Sequence, residues 1–282
     1  MRFSVVSCSV LWIIYCIFSV LHAAIYSEDS RKDYRDVESS ALRELFASVA
    51  MIASEDALTN YRQLRSLARS YRLSEAVPFG EQTVFGFCSA FLISADIVMT
   101  AGHCVLLTPY FCSDSVFVFA YHNGISFSPE IKGNDVVYRC KEVLDVQLDD
   151  ERDFALIRLD RKTQRKSLKL STTDHEEGGD IFSVSHPHGI LAKYSSGTIL
   201  GRHGQTIYAA LDVFRGSSGA PVFNSEHHVI GLVRSGGHDF EKDEDGESYR
   251  LRITEDLEDI TSYEKISDIR AVSARWANQL IL

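Results

Sequence analysis

From Val84 onward the chain is a succession of short apolar or alternating runs, separated by Gly, Asn, Asp and Pro. Alternation places successive side chains on opposite faces of an extended strand, and the punctuating residues supply the turns between strands. The candidate strands are Phe87 to Ile93, Ile97 to Thr100, Val116 to Tyr121, Val136 to Val143, Ala155 to Leu159, Ile181 to Ser185, Gly197 to Arg202, Ile207 to Leu211, Pro221 to Phe223, Val229 to Arg234 and Tyr249 to Ile253. Strands this short and this regularly interrupted point to an all-β chain of barrels or sandwiches.

The 282 residues, 45% of them hydrophobic, suffice to bury a sizeable core in one or two domains. Residues 3 to 21 are mostly apolar behind Arg2, and Ala23 and Ala24 follow. This pattern predicts a secretory signal peptide over residues 1–24, the alternative being an uncleaved membrane anchor. Cleavage would remove Cys8 and Cys16 and leave Cys88, Cys104, Cys112 and Cys140, an even number that in an exported chain suggests two disulfides. Zinc ligation would call for C-x-x-C spacing, which is absent. The formal charge of −10 becomes −11 once Arg2 is removed, and no basic cluster interrupts it, so nucleic acid is not an expected partner.

Residues 25–80 form a lead-in of mixed character. Residues 25 to 38 are polar and charged, 40 to 46 suit a short helix capped by Ser39 or Ser40, and Ser48 to Ile52 reads as a strand. Leu58, Tyr61, Leu64, Leu67 and Tyr71 recur at helical spacing. Two readings stay open: a removable pro-segment, or an integral part of the first strand-rich unit. Residues 81–282 carry the main domain, with a polar linker near 160–180 and a final helix near Ser267 to Leu280, where Ile269, Val272, Trp276 and Leu280 fit an apolar stripe.

Three segments carry chemistry. Thr100-Ala101-Gly102-His103-Cys104, then Asp153 ahead of Phe154-Ala155-Leu156-Ile157, then Gly216-Ser217-Ser218-Gly219-Ala220-Pro221 supply a His, an Asp and a Ser in turn. A serine hydroxyl becomes a useful nucleophile when an imidazole takes its proton and a buried carboxylate orients that imidazole. The glycine two residues before Ser218 frees the backbone for an oxyanion site made by the N–H groups of Gly216 and Ser218.

The order of these segments and their flanks, with Phe87-Cys88-Ser89-Ala90-Phe91-Leu92-Ile93-Ser94 preceding the histidine, resembles the trypsin/chymotrypsin-like serine peptidase superfamily, in particular its bacterial branch related to glutamyl endopeptidases. The resemblance spans roughly residues 35 to 275. It implies two antiparallel β-barrels with a C-terminal helix and a cleft between the barrels. It also implies a secreted endopeptidase with His103 as general base, Asp153 as its orienting carboxylate and Ser218 as nucleophile. It pairs Cys88 with Cys104, which leaves Cys112 with Cys140. Protein or peptide substrates, no cofactor, no metal, no stable membrane insertion after signal cleavage and a monomeric state are the corresponding expectations.

Two positions depart from the superfamily. Ser217 stands where trypsin-type enzymes carry the acid that pairs with a freshly cut N-terminus, so activation through that contact is not expected. Ala220 replaces the commoner Gly or Ser. Asp212, six residues before Ser218, coincides with the acid that gives trypsin-like enzymes their Lys/Arg preference. Arg215 and Arg234 lie near the same candidate pocket and oppose it, and Val233 replaces the pocket histidine of glutamyl endopeptidases. The balance tilts slightly to basic P1 residues, with a purely structural Asp212 as the alternative.

His186-Pro187-His188-Gly189 invites a metal reading, against which proline fits a tight turn better; the acidic stretch Asp243 to Glu247 reads as an exposed loop rather than a calcium site. The other function classes weighed are a catalytically silent protease-fold binding module, which would lack a triad member, and a protease-chaperone, which would carry a peptide-binding domain after Leu282.

Overall fold

The computed structural model describes residues 25–122, 135–254, 260, 263–270 and 272 of the chain. Two barrels of six strands make up the architecture. The first runs through β1 (Val49–Ser54), β2 (Cys88–Leu92), β3 (Ile97–Thr100), β4 (Ser115–Phe119), β5 (Val137–Leu148) and β6 (Asp153–Leu159), closed in the order β1-β2-β3-β6-β5-β4. The second uses β7 (Asp180–Ser185), β8 (Lys193–His203), β9 (Thr206–Leu211), β10 (Pro221–Asn224), β11 (Val229–Ser235) and β12 (Glu264–Asp268). Its order, β7-β8-β9-β12-β11-β10, repeats that of the first, and the β8–β9 and β10–β7 pairings complete the ring. Every pairing within the two rings is antiparallel.

β1 shows why the residues preceding Val84 matter. Its alternate side chains serve two cores: Ala50 and Ile52 join the cluster that contains Phe91, Phe117 and Leu156, while Met51 and Ala53 meet Leu58, Phe85 and Tyr121. A strand buried on both faces carries no polar alternation, which is how Val-Ala-Met-Ile-Ala reads. The helical spacing from Leu58 to Tyr71 resolves into two short helices, Glu55–Thr59 and Leu67–Tyr71, rather than one. Ser54 and Ser66 explain the division: each hydroxyl accepts the N–H three residues on and starts its own helix. The helix expected over 40 to 46 spans Ser40–Leu45, capped by Ser39.

Further differences lie near the C-terminus. Ser267 and Asp268, expected to open the final helix, belong to β12 instead, where Leu232 and Val233 of β11 pair with Ser267 and Ile266. Most of that expected helix, like the expected signal peptide over residues 1–24, lies outside the described residues. Tyr249 to Ile253, expected as one strand, splits into Tyr249–Leu251, paired with Phe240–Lys242 as a hairpin, and Ile253–Thr254, paired in parallel with Ile25–Tyr26. Both disulfides, Cys88–Cys104 and Cys112–Cys140, belong to the first barrel.

Candidate active site

β3 delivers His103. The strand ends at Thr100, whose hydroxyl donates to Ser89 O of the neighbouring β2, and a one-turn helix, Gly102–Leu106, follows. Glycine is required at 102 because a Cβ there would lie 2.1 Å from Gln147 O of β5. The turn therefore sits tightly against β5, and the Cys88–Cys104 bond fixes the next residue to β2.

Asp153 opens β6 and is 2% exposed. It holds His103 at two points: Oδ1 accepts the His103 backbone N–H at 2.9 Å, and Oδ2 lies 2.7 Å from Nδ1. A carboxylate at Nδ1 keeps the ring proton there and leaves the lone pair on Nε2, which lies 3.7 Å from Cys104 Sγ.

Ser218 reaches the same cleft from the second barrel. Its carbonyl accepts the Ser89 N–H at 2.8 Å, stitching the loop to β2. Gly219 adopts φ +84°, and a Cβ would lie 2.2 Å from Thr100 Oγ1, so only glycine lets the barrels close here. His103 and Ser218 both line the cleft, and no hydrogen bond joins their side chains.

The amides around Ser218 divide into two kinds. Those of Ser217, Gly219 and Ala220 donate to Phe214 O, Val233 O and Ser217 O. Those of Gly216 and Ser218 donate to no acceptor among the described residues. Two unused N–H groups beside a hydroxyl can receive an oxyanion. Ser217, completely buried, is satisfied by Ser185 Oγ and the Phe214 N–H.

The cleft has a volume of about 730 Å³ and runs from His103, Asp153 and Ser218 to Val213, Phe214, Gly236 and Glu264. Asp212 does not line it. That carboxylate is 4% exposed and accepts the backbone N–H groups of Tyr26 and Ser30 at 3.0 and 2.8 Å, holding the start of the described chain against the second barrel. Burial raises its pKa. Arg234 lines the cleft, but its guanidinium turns to the first barrel: Nη1 and Nη2 donate to Asp150 O and Asp149 O at 2.9 Å each, and Nε lies 3.9 Å from Asp153 Oδ2. Arg215 is exposed at the rim.

Sequence reasoning missed Glu264. It is 1% exposed, and its Oε1 accepts the Gly237 N–H and the Tyr26 hydroxyl, while Oε2 has no partner among the described residues. Gly236 makes room for it, since a Cβ there would overlap Oε2. Burial raises the Glu264 pKa. Nothing in a strand reading Glu-Lys-Ile-Ser-Asp signals a buried carboxylate facing a cleft.

His186 and His188 do not converge on a common point. His186 Nδ1 is committed to Ile190 O, with burial pushing the imidazole down to about 3, and His188 Nδ1 meets the Tyr71 hydroxyl. Cys88, His103 and Cys104 bring three metal-type donors together, but the two sulfurs are bonded to one another and offer no thiolate. The acidic loop is a turn in which Asp245 accepts the N–H groups of Glu247 and Ser248.

A family model of the trypsin-like peptidase domain matches residues 88–232. Among solved structures, a Glu endopeptidase in complex with MPD is 16% identical, with 90% of this chain and 97% of that one covered and a TM-score of 0.54. The active form of the Rv3671c protease from M. tuberculosis is also 16% identical, covering 86% of this chain and 84% of its own at a TM-score of 0.50. Identity this low speaks for the fold alone. No curated protein sequence matches the chain.

Proposed function

The chain belongs to the trypsin-like peptidase domain family, and on that premise we propose that it is a secreted serine endopeptidase working through His103, Asp153 and Ser218. The carrying observation is the conjunction of a half-buried His103 held by the buried Asp153 with two unclaimed amides beside the Ser218 hydroxyl. Ser218 Oγ attacks the scissile carbonyl carbon as its proton passes to His103 Nε2. The carbonyl oxygen takes the negative charge between the Gly216 and Ser218 N–H groups, each worth roughly 3 kcal/mol in such a site. Collapse breaks the C–N bond as the imidazolium protonates the leaving amine. Water then attacks the acyl-enzyme with His103 again as base, releasing the acid and restoring Ser218.

The weak preference for basic P1 residues is kept with its carboxylate reassigned to Glu264, which lines the cleft where Asp212 does not, the charge of a bound basic side chain offsetting the burial that raises the Glu264 pKa. The signal segment 1–24 and the two disulfides support export. Residues 25–80 are proposed to stay with the mature enzyme, since β1 closes the first barrel. Protein or peptide substrates and a monomer complete the reading. The silent binding module is disfavoured because each triad side chain is present and lines one cleft.

A fluorophosphonate probe tests this: mature protein should label, and Ser218→Ala should not. Failure of disulfide-intact wild type to label would leave the binding module standing. Cleavage of a peptide library, with sequencing of the protein's own N-terminus, reads P1 preference and the fate of residues 25–80 together.

A further inference from the structure

A second histidine–aspartate pair borders the cleft, and the proposed chemistry makes no use of it. His188, with a side chain 2% exposed, has Nε2 2.9 Å from Asp239 Oδ2, an ion-pair contact off the axis of a straight hydrogen bond. Its Nδ1 lies 3.0 Å from the Tyr71 hydroxyl. Burial raises the Tyr71 pKa, so the phenol keeps its proton. With that hydroxyl donating to Nδ1, the imidazole proton sits on Nε2, facing Asp239. Phe240 stacks on the ring at 5.1 Å and Phe214 meets it edge-on at 5.7 Å.

The same two residues grip the backbone of Arg215 from both sides. Its N–H donates to Asp239 Oδ2 at 3.1 Å, and its carbonyl accepts the His188 N–H at 2.5 Å. In a trans peptide the C=O and the following N–H point in opposite directions. Drawing the Arg215 carbonyl toward His188 therefore aims the Gly216 N–H the other way, and that N–H has no protein acceptor. Gly216 takes φ +93°, and a Cβ on it would lie 2.7 Å from His188 N. The neighbouring peptide is fixed likewise: Ser217 O accepts the Ala220 N–H, which turns the Ser218 N–H outward. Rotating the Arg215–Gly216 peptide would put a carbonyl oxygen where a donor is needed, and the oxyanion site would repel the charge it should stabilise.

We infer that Asp239 and His188, braced by Tyr71, are positioning residues that lock the Arg215–Gly216 peptide with its N–H toward the oxyanion. The inference rests on the serine peptidase reading and deepens it. The Tyr71–His188–Asp239 chain acts on the rate of acylation rather than on substrate affinity. It also makes the helix Leu67–Tyr71, which precedes Val84, part of the catalytic support.

The test compares wild type, Asp239→Ala and Tyr71→Phe in the mature, disulfide-intact protein. Peptide amide turnover, inhibition by a peptide aldehyde (whose hemiacetal oxygen mimics the oxyanion) and thermal melting are read for each. Losing one aimed donor costs on the order of 10²-fold in kcat. Asp239→Ala should lower kcat by about 10- to 100-fold with KM changed less than about threefold, and weaken the aldehyde by the same factor as kcat. Tyr71→Phe, which removes one hydroxyl, should shift kcat and aldehyde binding in the same direction by about two- to fivefold. Unchanged kcat in Tyr71→Phe, or a rise in KM alone in either variant, overturns the inference. Should Asp239→Ala not fold, Tyr71→Phe decides by itself. A wild type that neither labels nor turns over would instead sink the serine peptidase reading, which keeps the two failures apart.

Discussion

The two barrels share one strand order but are held by different means. Both cross-links lie in the first, which presents the His103–Asp153 couple. The second contains no cysteine, and places Ser183, Ser185, Ser195, Thr206, Ser217, Glu264, Ser267 and Asp268 in buried positions. The contrast follows from what each contributes. A side-chain couple is aimed by fixing the two segments that carry it, which a covalent bond does well. Backbone N–H donors are aimed by the orientation of peptide planes, which requires partners for the carbonyls behind them. Arg215 O, Gly216 O and Ser217 O all have such partners, from His188 N–H, Ser89 Oγ–H and Ala220 N–H.

The sharpest way to break this division is to disable one barrel at a time. His103→Ala and Ser218→Ala should each lower kcat by on the order of 10⁴-fold or more, and the double variant should be no worse than either alone. A double loss that multiplied would mean that the barrels do not act as one device. Next in size is the covalent contrast. Replacing Cys88 and Cys104 together by Ala should cost about 3 kcal/mol of stability in denaturant unfolding, as expected for a closed loop of this size. An unchanged midpoint would show that packing and hydrogen bonding hold the first barrel without its cross-link.

Acid should weaken the second barrel through His186, whose imidazole falls from 6.5 to about 3 on burial. Between those pH values the unfolded chain binds the proton and the folded chain does not. Stability is therefore lost as pH falls through that window, by about 1.4 kcal/mol per pH unit at its steepest. Melting temperature against pH checks this, and His186→Asn should flatten the curve. The smallest effect concerns selectivity: Glu264→Gln should reduce the kcat/KM ratio of P1 Arg over P1 Gln peptides by about five- to tenfold with turnover retained. An unchanged ratio would return the pocket acid to a structural role.

Strands of both barrels were legible in the sequence, with β12 of the second as the exception. Strands of the first barrel stood out because their interior positions are apolar: Ile97–Thr100 coincides with its expected bounds, and the run after Asp153 is β6. The three triad candidates were readable from their immediate neighbours and come to one cleft. β12 was concealed because Glu264, Ser267 and Asp268 are buried polar residues whose partners lie elsewhere in the chain. Arg202 pairs with Asp268, and Gly237 and Tyr26 hydrogen-bond to Glu264. Hydrophobic periodicity carries no information about such partners. Asp212 misled for the same reason: its position suggested a pocket, and its occupants turned out to be the amides of Tyr26 and Ser30.

The pairings of Ile25–Tyr26 with Ile253–Thr254 and of Lys32–Asp33 with Lys193–Tyr194, together with the Asp33–Lys193 ion pair at 2.6 Å, have a consequence for biosynthesis. The stretch that leaves the ribosome ahead of every barrel strand docks on the half translated last. It must therefore wait, unsatisfied, while some two hundred residues are made and the intervening half takes shape.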